Sequence, residues 1–326
     1  MTSKPPVDPL EPLSLEGVRT YSLYERPSKV DHTRFARPWE LGGSFKDFCR
    51  SLPRLLAGEW LLEVAAAWVA ARRQGHLVLL GMGAHVLKVG LSPVILDLCR
   101  RGLVSGLALN GAGIIHDAEL ALAGRTSEDV DATLSGGEFG MARETAEFLN
   151  RAITQGVADG LGLGAAVGRA LTQADAPYRH LSLLAGAWEL QVPLTVHVAL
   201  GTDIIHIHPS CDPAATGLGT HRDFRLFAAL VSRLSGGMYL NVGSAVLLPE
   251  VFLKAVTLAR NLGHPVAPLT TVNLDFIQHY RPQTNVVRRP TATGGRGFAF
   301  TGHHELLVPL LAALVTELWE EETHAD

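Results

Sequence analysis

Short apolar runs that stop abruptly at small or polar residues constrain this chain more than any other feature. They read HLVLLGMG, LVSGLAL, VPLTVHVALG, GMYLNVG and VAPLTTVNL. Each is too short for a buried helix and too uniformly apolar for a strand with one wet face. Each therefore predicts a strand covered on both sides. Stretches with helical spacing lie between them. EWLLEVAAAWVAARRQG has Gly75 as its stop, and LSPVILDLCRRG has Ser92 as cap with Pro93 in its first turn. TSEDVDATLSGGEFGMARETAEFLNRAI predicts a helix capped from Thr126 or Ser127, then a longer amphipathic one. HRDFRLFAALVSRL, PEVFLKAVTLARNLG and HHELLVPLLAALVTELWEE complete the series. Alternation of this kind predicts an α/β fold built on a doubly wound, mostly parallel sheet.

Residues 1–45 are rich in proline and charge and read as an extended N-terminal arm that packs on the body or on a neighbouring subunit. Residues 46–326 are expected to form a single α/β domain. At 326 residues and 47% hydrophobic, the chain is long enough to bury a large core. Its net charge is -4 and its Lys and Arg residues are scattered, which argues against a nucleic-acid partner. Cys49, Cys99 and Cys211 are odd in number and far apart, which fits a reducing cytoplasm rather than a disulfide framework. No apolar run reaches the roughly 18–20 residues of a membrane span, and the N-terminus lacks the apolar core of a signal peptide.

In an open parallel sheet, ligands bind outside the carboxyl ends of the strands. The candidate segments are thus GMGAH, NGAGIIHD, GTDIIHIHPSCD, NVGSA and NLDFIQHYRP. Neither GMGAHVLKVG nor NGAGII completes the dinucleotide fingerprint Gly-x-Gly-x-x-Gly. NGAGIIHD is either a tight turn or a cofactor cradle with His116 and Asp117 attached. GLGLGAAVG, Gly160 to Gly168, follows no strand and reads as a helix start with its packing face. His206 and His208 lie two apart and share a face on an extended backbone, with Asp203 just upstream. His85, His116 and His197 also fall near strand ends. An alternative reading is therefore a metal-dependent hydrolase using His85, His116, Asp203, His206 and His208. No compact signature such as His-Glu-x-x-His is present, so polar cleft liners are preferred and no metal is expected. Arg281, Arg288, Arg289 and Arg296 fall in a loop of little apolar content, which suits either an anion fork or a subunit contact.

The ordered series of strand ends resembles deoxyhypusine synthase. The resemblance runs from LLGMGAHVLKVGLSPVILDLCRRGLVSGLALNGAGIIHDAELALAG through VPLTVHVALGTDIIHIHP, YLNVGSAVLLPEVFLKA and TTVNLDF, roughly residues 45–320. It implies a Rossmann-like domain, NAD, and a homotetramer with active sites between subunits. By position, the cofactor would touch Gly83, Ala84, His85, Asn110, Gly111, Ala112, Gly113, Gly243, Ser244 and Asn273. Asp203 falls on the family's polyamine-binding aspartate, while His116 and Asp117 fall on an acidic pair. The family's late Trp-Gly-Lys-like stretch reads GGRGF here, and the lysines are Lys4, Lys29, Lys46, Lys88 and Lys254. The family's general-base histidine aligns with Pro249, and two polyamine-site residues become Ala292 and Arg296. Arginine stays protonated and cannot form the imine that such a lysine forms. These departures imply hydride transfer from a small amine, a polyamine or guanidino compound, without the lysine-imine step. His116 supported by Asp117, or His206 or His208, would carry the proton. A non-catalytic ligand-binding homologue is the remaining alternative.

Overall fold

The computed structural model describes residues 10–323, with six strands in one sheet. These are β1 (Val78–Met82), β2 (Gly106–Asn110), β3 (Leu194–His197), β4 (Met238–Val242), β5 (Leu269–Asp275) and β6 (Gly295–Thr301). Their order is β3-β2-β1-β4-β5-β6 and every neighbouring pair is parallel. The strand order reverses between β1 and β4, which pair with Leu80 opposite Leu240 and Gly81 opposite Asn241.

Strand alternation explains why both faces are covered. In β1, Val78, Leu80 and Met82 join one apolar cluster while Leu79 joins the other. In β4, Met238, Leu240 and Val242 face the first cluster and Tyr239 the second. The first face carries the helices Leu56–Arg73, Ser92–Arg100, Gly111–Ala123 and His304–Thr323, whose buried side chains belong to the same cluster. The second carries Pro213–Ser232 and Leu247–Asn261. Each fully buried Leu, Val or Phe contributes about 1.5–3 kcal/mol relative to exposure, so two continuous layers suffice to hold the sheet. On the second face Tyr239 stacks on Phe252 at 3.8 Å and passes beneath Gly81. A Cβ at Gly81 would lie 2.2 Å from the Tyr239 hydroxyl, which is buried without a hydrogen-bond partner.

Several local expectations need correction. Gly295–Thr301 is a strand, not part of an arginine loop: Phe298 and Phe300 are buried and meet the edge of Trp60. The preceding Gln283–Arg288 is a wide helical turn with Thr284, Asn285 and Val286 buried. Ser92 is already inside its helix, Leu91 sits at the cap, and the serine makes no capping bond. Neither Thr126 nor Ser127 caps a helix; Asp129 does so for Val130–Thr133. Gly75 ends its helix with φ +77, as its position implies.

Residues 10–44 run as extended chain and turns, with one helical turn at His32–Arg34. Leu13, Tyr21, Leu23, Tyr24 and Leu41 are exposed there. Arg34 pairs with Glu59 at 2.5 Å, and the Arg54 amide donates to the Arg34 carbonyl at 2.9 Å. Ser44 and Asp47 then form a reciprocal cap that starts the helix Phe45–Ser51. Among the described residues, no helix is long and apolar enough to cross a membrane.

Candidate functional site

The carboxyl ends of β1 and β4 meet where the strand order reverses, and glycine makes the junction tight. The Gly83 amide donates to the Val242 carbonyl at 2.9 Å, and a Cβ on Gly83 would lie 2.1 Å from the Gly243 carbonyl oxygen. Gly243 has φ +65, and a Cβ there would lie 2.8 Å from the imidazole of His304. His304 is fully buried. Its Nε2–H donates to the Leu274 carbonyl at 3.2 Å and lies 3.8 Å from Asp275, leaving Nδ1 buried without a partner. Burial lowers its pKa, opposed by the Leu274 carbonyl and Asp275, so the ring presents a lone pair at neutral pH. His85 lies 5.4 Å from it, and Phe276 packs against both rings and stacks on His303. Of this box of imidazole and phenyl rings, the sequence points to His85 and, within NLDFIQHYRP, to Phe276, but not to His303 or His304. Their one signal was a histidine pair immediately after a strand at the sheet's carboxyl edge.

Behind the junction, buried amides form a chain. Asn241 donates to the Ser244 carbonyl at 2.9 Å and to Asn273 at 2.7 Å, and Asn273 donates to Gln278 at 2.8 Å. Ser244 Oγ accepts the Leu248 amide at 3.2 Å. Asn273 and Ser244, expected at the cofactor, thus also hold the β4 and β5 ends in register.

The β2 end is a direct strand-to-helix junction rather than a loop. The helix Gly111–Ala123 starts at once, and Asn110 Oδ1 accepts the Gly113 amide at 3.1 Å as its cap. Gly111 is bare because Asp203 presses on it: a Cβ there would lie 1.9 Å from Asp203 Oδ2. That oxygen is buried and has no hydrogen-bond partner. Burial lifts the Asp203 pKa to about 6, against a lowering bond from Thr202.

Asp203 opens a helical turn, Ile204–His206, so the backbone is not extended and His206 and His208 do not share a face. His206 is buried, with Nδ1 accepting the amides of Gly201 at 3.2 Å and Asp203 at 3.3 Å. Its neutral ring therefore carries the proton on Nε2, which is buried and unpartnered. His208 is half-buried and bonded to Ser210 at 2.7 Å. His197 is a core residue bonded to Thr195 at 3.0 Å, with its pKa pushed by burial to about 4.

The neighbouring pair separates. His116 faces Thr126, with Nδ1 2.6 Å from the hydroxyl. Asp117 faces the other way and is fully buried. It accepts the Ser182 hydroxyl at 2.5 Å and the amides of Leu183 and Leu184 at 2.7 and 3.1 Å, at the start of the helix Leu183–Glu189. Burial lifts its pKa to about 6, against those three bonds. Asp117 therefore does not support His116; it caps a helix. Among the described residues, no three His, Cys, Asp or Glu side chains converge as a metal cage. The arginines also find internal partners: Arg281 with Glu250, Arg289 with Asn285, and Arg296 with Glu63.

No family model and no curated protein matches this chain. Solved structures do. A putative LOR/SDH protein from Methanococcus maripaludis superposes with TM-score 0.51 at 13% identity, over 80% of this chain and 70% of that one. The ternary complex of AgrE with ornithine and NAD+ superposes with TM-score 0.52 at 16% identity, over 80% of this chain and 33% of that one. A putative deoxyhypusine synthase from Entamoeba histolytica gives 0.49 at 12% identity, over 87% and 96% of the two chains. The chain spans about a third of the length of the AgrE and ArgZ chains that it matches. The likenesses to the LOR/SDH protein and to AgrE show the α/β fold alone.

Proposed function

We propose that this chain is a deoxyhypusine synthase-like, NAD-binding enzyme that acts on a small amine or guanidino compound by hydride transfer. The observation that carries the reading is the Asp203 carboxylate. Its Oδ2 is buried with no donor and its pKa is raised, which is costly unless a ligand supplies one. A cationic nitrogen supplies both counter-charge and N–H donors. The unpartnered Nε2–H of His206, in the same short turn, adds a donor that orients the ligand.

The residues at the strand ends fit a dinucleotide. NAD would lie across the β1–β4 junction, the crevice where such sheets hold dinucleotides, against Gly83, Ala84, His85, Gly243 and Ser244. The start of the helix Gly111–Ala123 offers it the first-turn amides that the Asn110 cap leaves untaken, which have no carbonyl four residues back. Bound there, NAD supplies the hydride acceptor. Asp203 holds the cation, and His116 takes the N–H proton. With no lysine at the late glycine-rich stretch, the reaction ends without imine transfer to the protein. AgrE, which binds ornithine and NAD+ together, supports pairing an amine with this cofactor on such a sheet. Leu200, Ile207, Val246, Phe276, Ile277 and Tyr280 are exposed around the carboxyl rim, which supports closure of the site by a second subunit in a homotetramer.

Calorimetry tests the reading. Wild-type protein is expected to bind NAD, and Asp203→Asn to bind NAD equally while losing ornithine or spermidine at least tenfold. Absence of NAD binding, or unchanged amine affinity in Asp203→Asn, overturns it.

A further inference from the structure

We infer that Thr126 and Glu119 fix the tautomer of His116, leaving Nε2 as the proton-accepting atom of the site. The inference rests on His116 being the proton carrier and adds the residues that position it.

His116 Nδ1 lies 2.6 Å from Thr126 Oγ1, which in turn donates to Glu119 Oε2 at 2.5 Å. Thr145 Oγ1 donates to the second Glu119 oxygen at 3.2 Å. The direct separation of His116 Nδ1 and Glu119 Oε2 is 3.9 Å, too long for a hydrogen bond. An ionised carboxylate only accepts, so both threonine hydroxyls must point their single protons at Glu119. Thr126 then meets the imidazole with lone pairs alone, and Nδ1 must carry a hydrogen. In a neutral ring the remaining lone pair is on Nε2, which bonds no other group among the described residues. Burial keeps the ring neutral and Lys88 acts in the same sense, while Glu119 opposes them.

The arrangement does through one hydroxyl what an orienting carboxylate does by direct contact. It selects a tautomer and stabilises the imidazolium that forms when Nε2 takes a proton. His116 and Glu119 are only 18% and 19% exposed, so the geometry is held by packing as well as by bonds. On its outer side Glu119 lines a cleft of about 500 Å³ with Thr126, Glu128, Glu144 and Thr145.

The test is 15N NMR of histidine-labelled protein, with the His116 signals assigned by their loss in His116→Gln. Wild type is expected to show a protonated Nδ1 and a bare Nε2. Thr126→Val removes the hydroxyl, and Glu119→Gln lets an amide donate to Thr126 and reverse the chain. Both are expected to move the proton to Nε2 and to lower kcat at least 100-fold, with NAD affinity unchanged. Thr126→Ser is expected to restore the wild-type tautomer. A wild-type ring protonated at Nε2, or the same tautomer in all variants, overturns the inference. Loss of NAD binding in wild type would sink the functional reading while leaving the tautomer result standing.

Discussion

Two glycine-rich helix starts in this molecule look alike and are used oppositely. At Gly160 to Gly168, the helix Leu163–Gln173 opens onto the carboxylate of Asp223, whose Oδ2 accepts the amides of Gly164 at 2.9 Å and Val196 at 2.8 Å. At Asn110 to Gly113, the helix Gly111–Ala123 opens onto Asp203, whose Oδ2 accepts nothing. Both aspartates are buried and both have raised pKa values, to about 7 and about 6. One is a plug that the fold supplies to itself. The other sits at the carboxyl edge of the sheet with one of its two oxygens unbonded. A glycine-rich helix start is thus a candidate site only when the chain has not already filled it.

Substitutions at the two starts test the contrast. Asp223→Ala is expected to cost the most, about 3–5 kcal/mol in urea unfolding, because two buried amides lose their acceptor together. Gly164→Ala follows at about 3 kcal/mol, since its Cβ would lie 2.0 Å from the backbone oxygen of Leu194 and neither backbone can yield cheaply. Asp203→Asn carries the opposite sign and is expected to stabilise the ligand-free protein by about 2 kcal/mol at pH 8. A carboxyl whose folded pKa lies above its unfolded value of 3.8 carries no ionisation penalty at low pH. The penalty grows as pH rises and is complete above about 6, so the gain from Asp203→Asn should vanish near pH 4. Equal stabilisation at both pH values would break the comparison. Gly113→Ala is the smallest, expected within about 1 kcal/mol in thermal melts, because its nearest neighbour is the Leu109 side chain at 3.2 Å and alanine favours a helix.

The sheet was legible because a strand buried on both faces writes itself as an apolar run, and β1 does so without interruption while β2 and β4 break only at Asn110 and Asn241. β6 was not, because Gly-Arg-Gly precedes its two phenylalanines and mimics a loop. The strand ends were legible as places, through their glycines and polar residues. The roles of single side chains there were not. Asp117 and His116 are adjacent in sequence, but successive positions on a helix point about 100° apart, so they serve different neighbours. Asp223 lies inside the helix pattern HRDFRLF and meets a helix start that no local spacing predicts. His304 reads as the opening of the last helix, and only the close approach of Gly243 brings it to the site.

Gly81 and Tyr239 carry a consequence for descent. The phenol fills the space in which a side chain on β1 would stand, so the second position supplies what the first omits. A side chain at residue 81 would require the Tyr239 ring to move or shorten. Joint variation at the two positions would mark chains sharing this packing even where little other likeness survives.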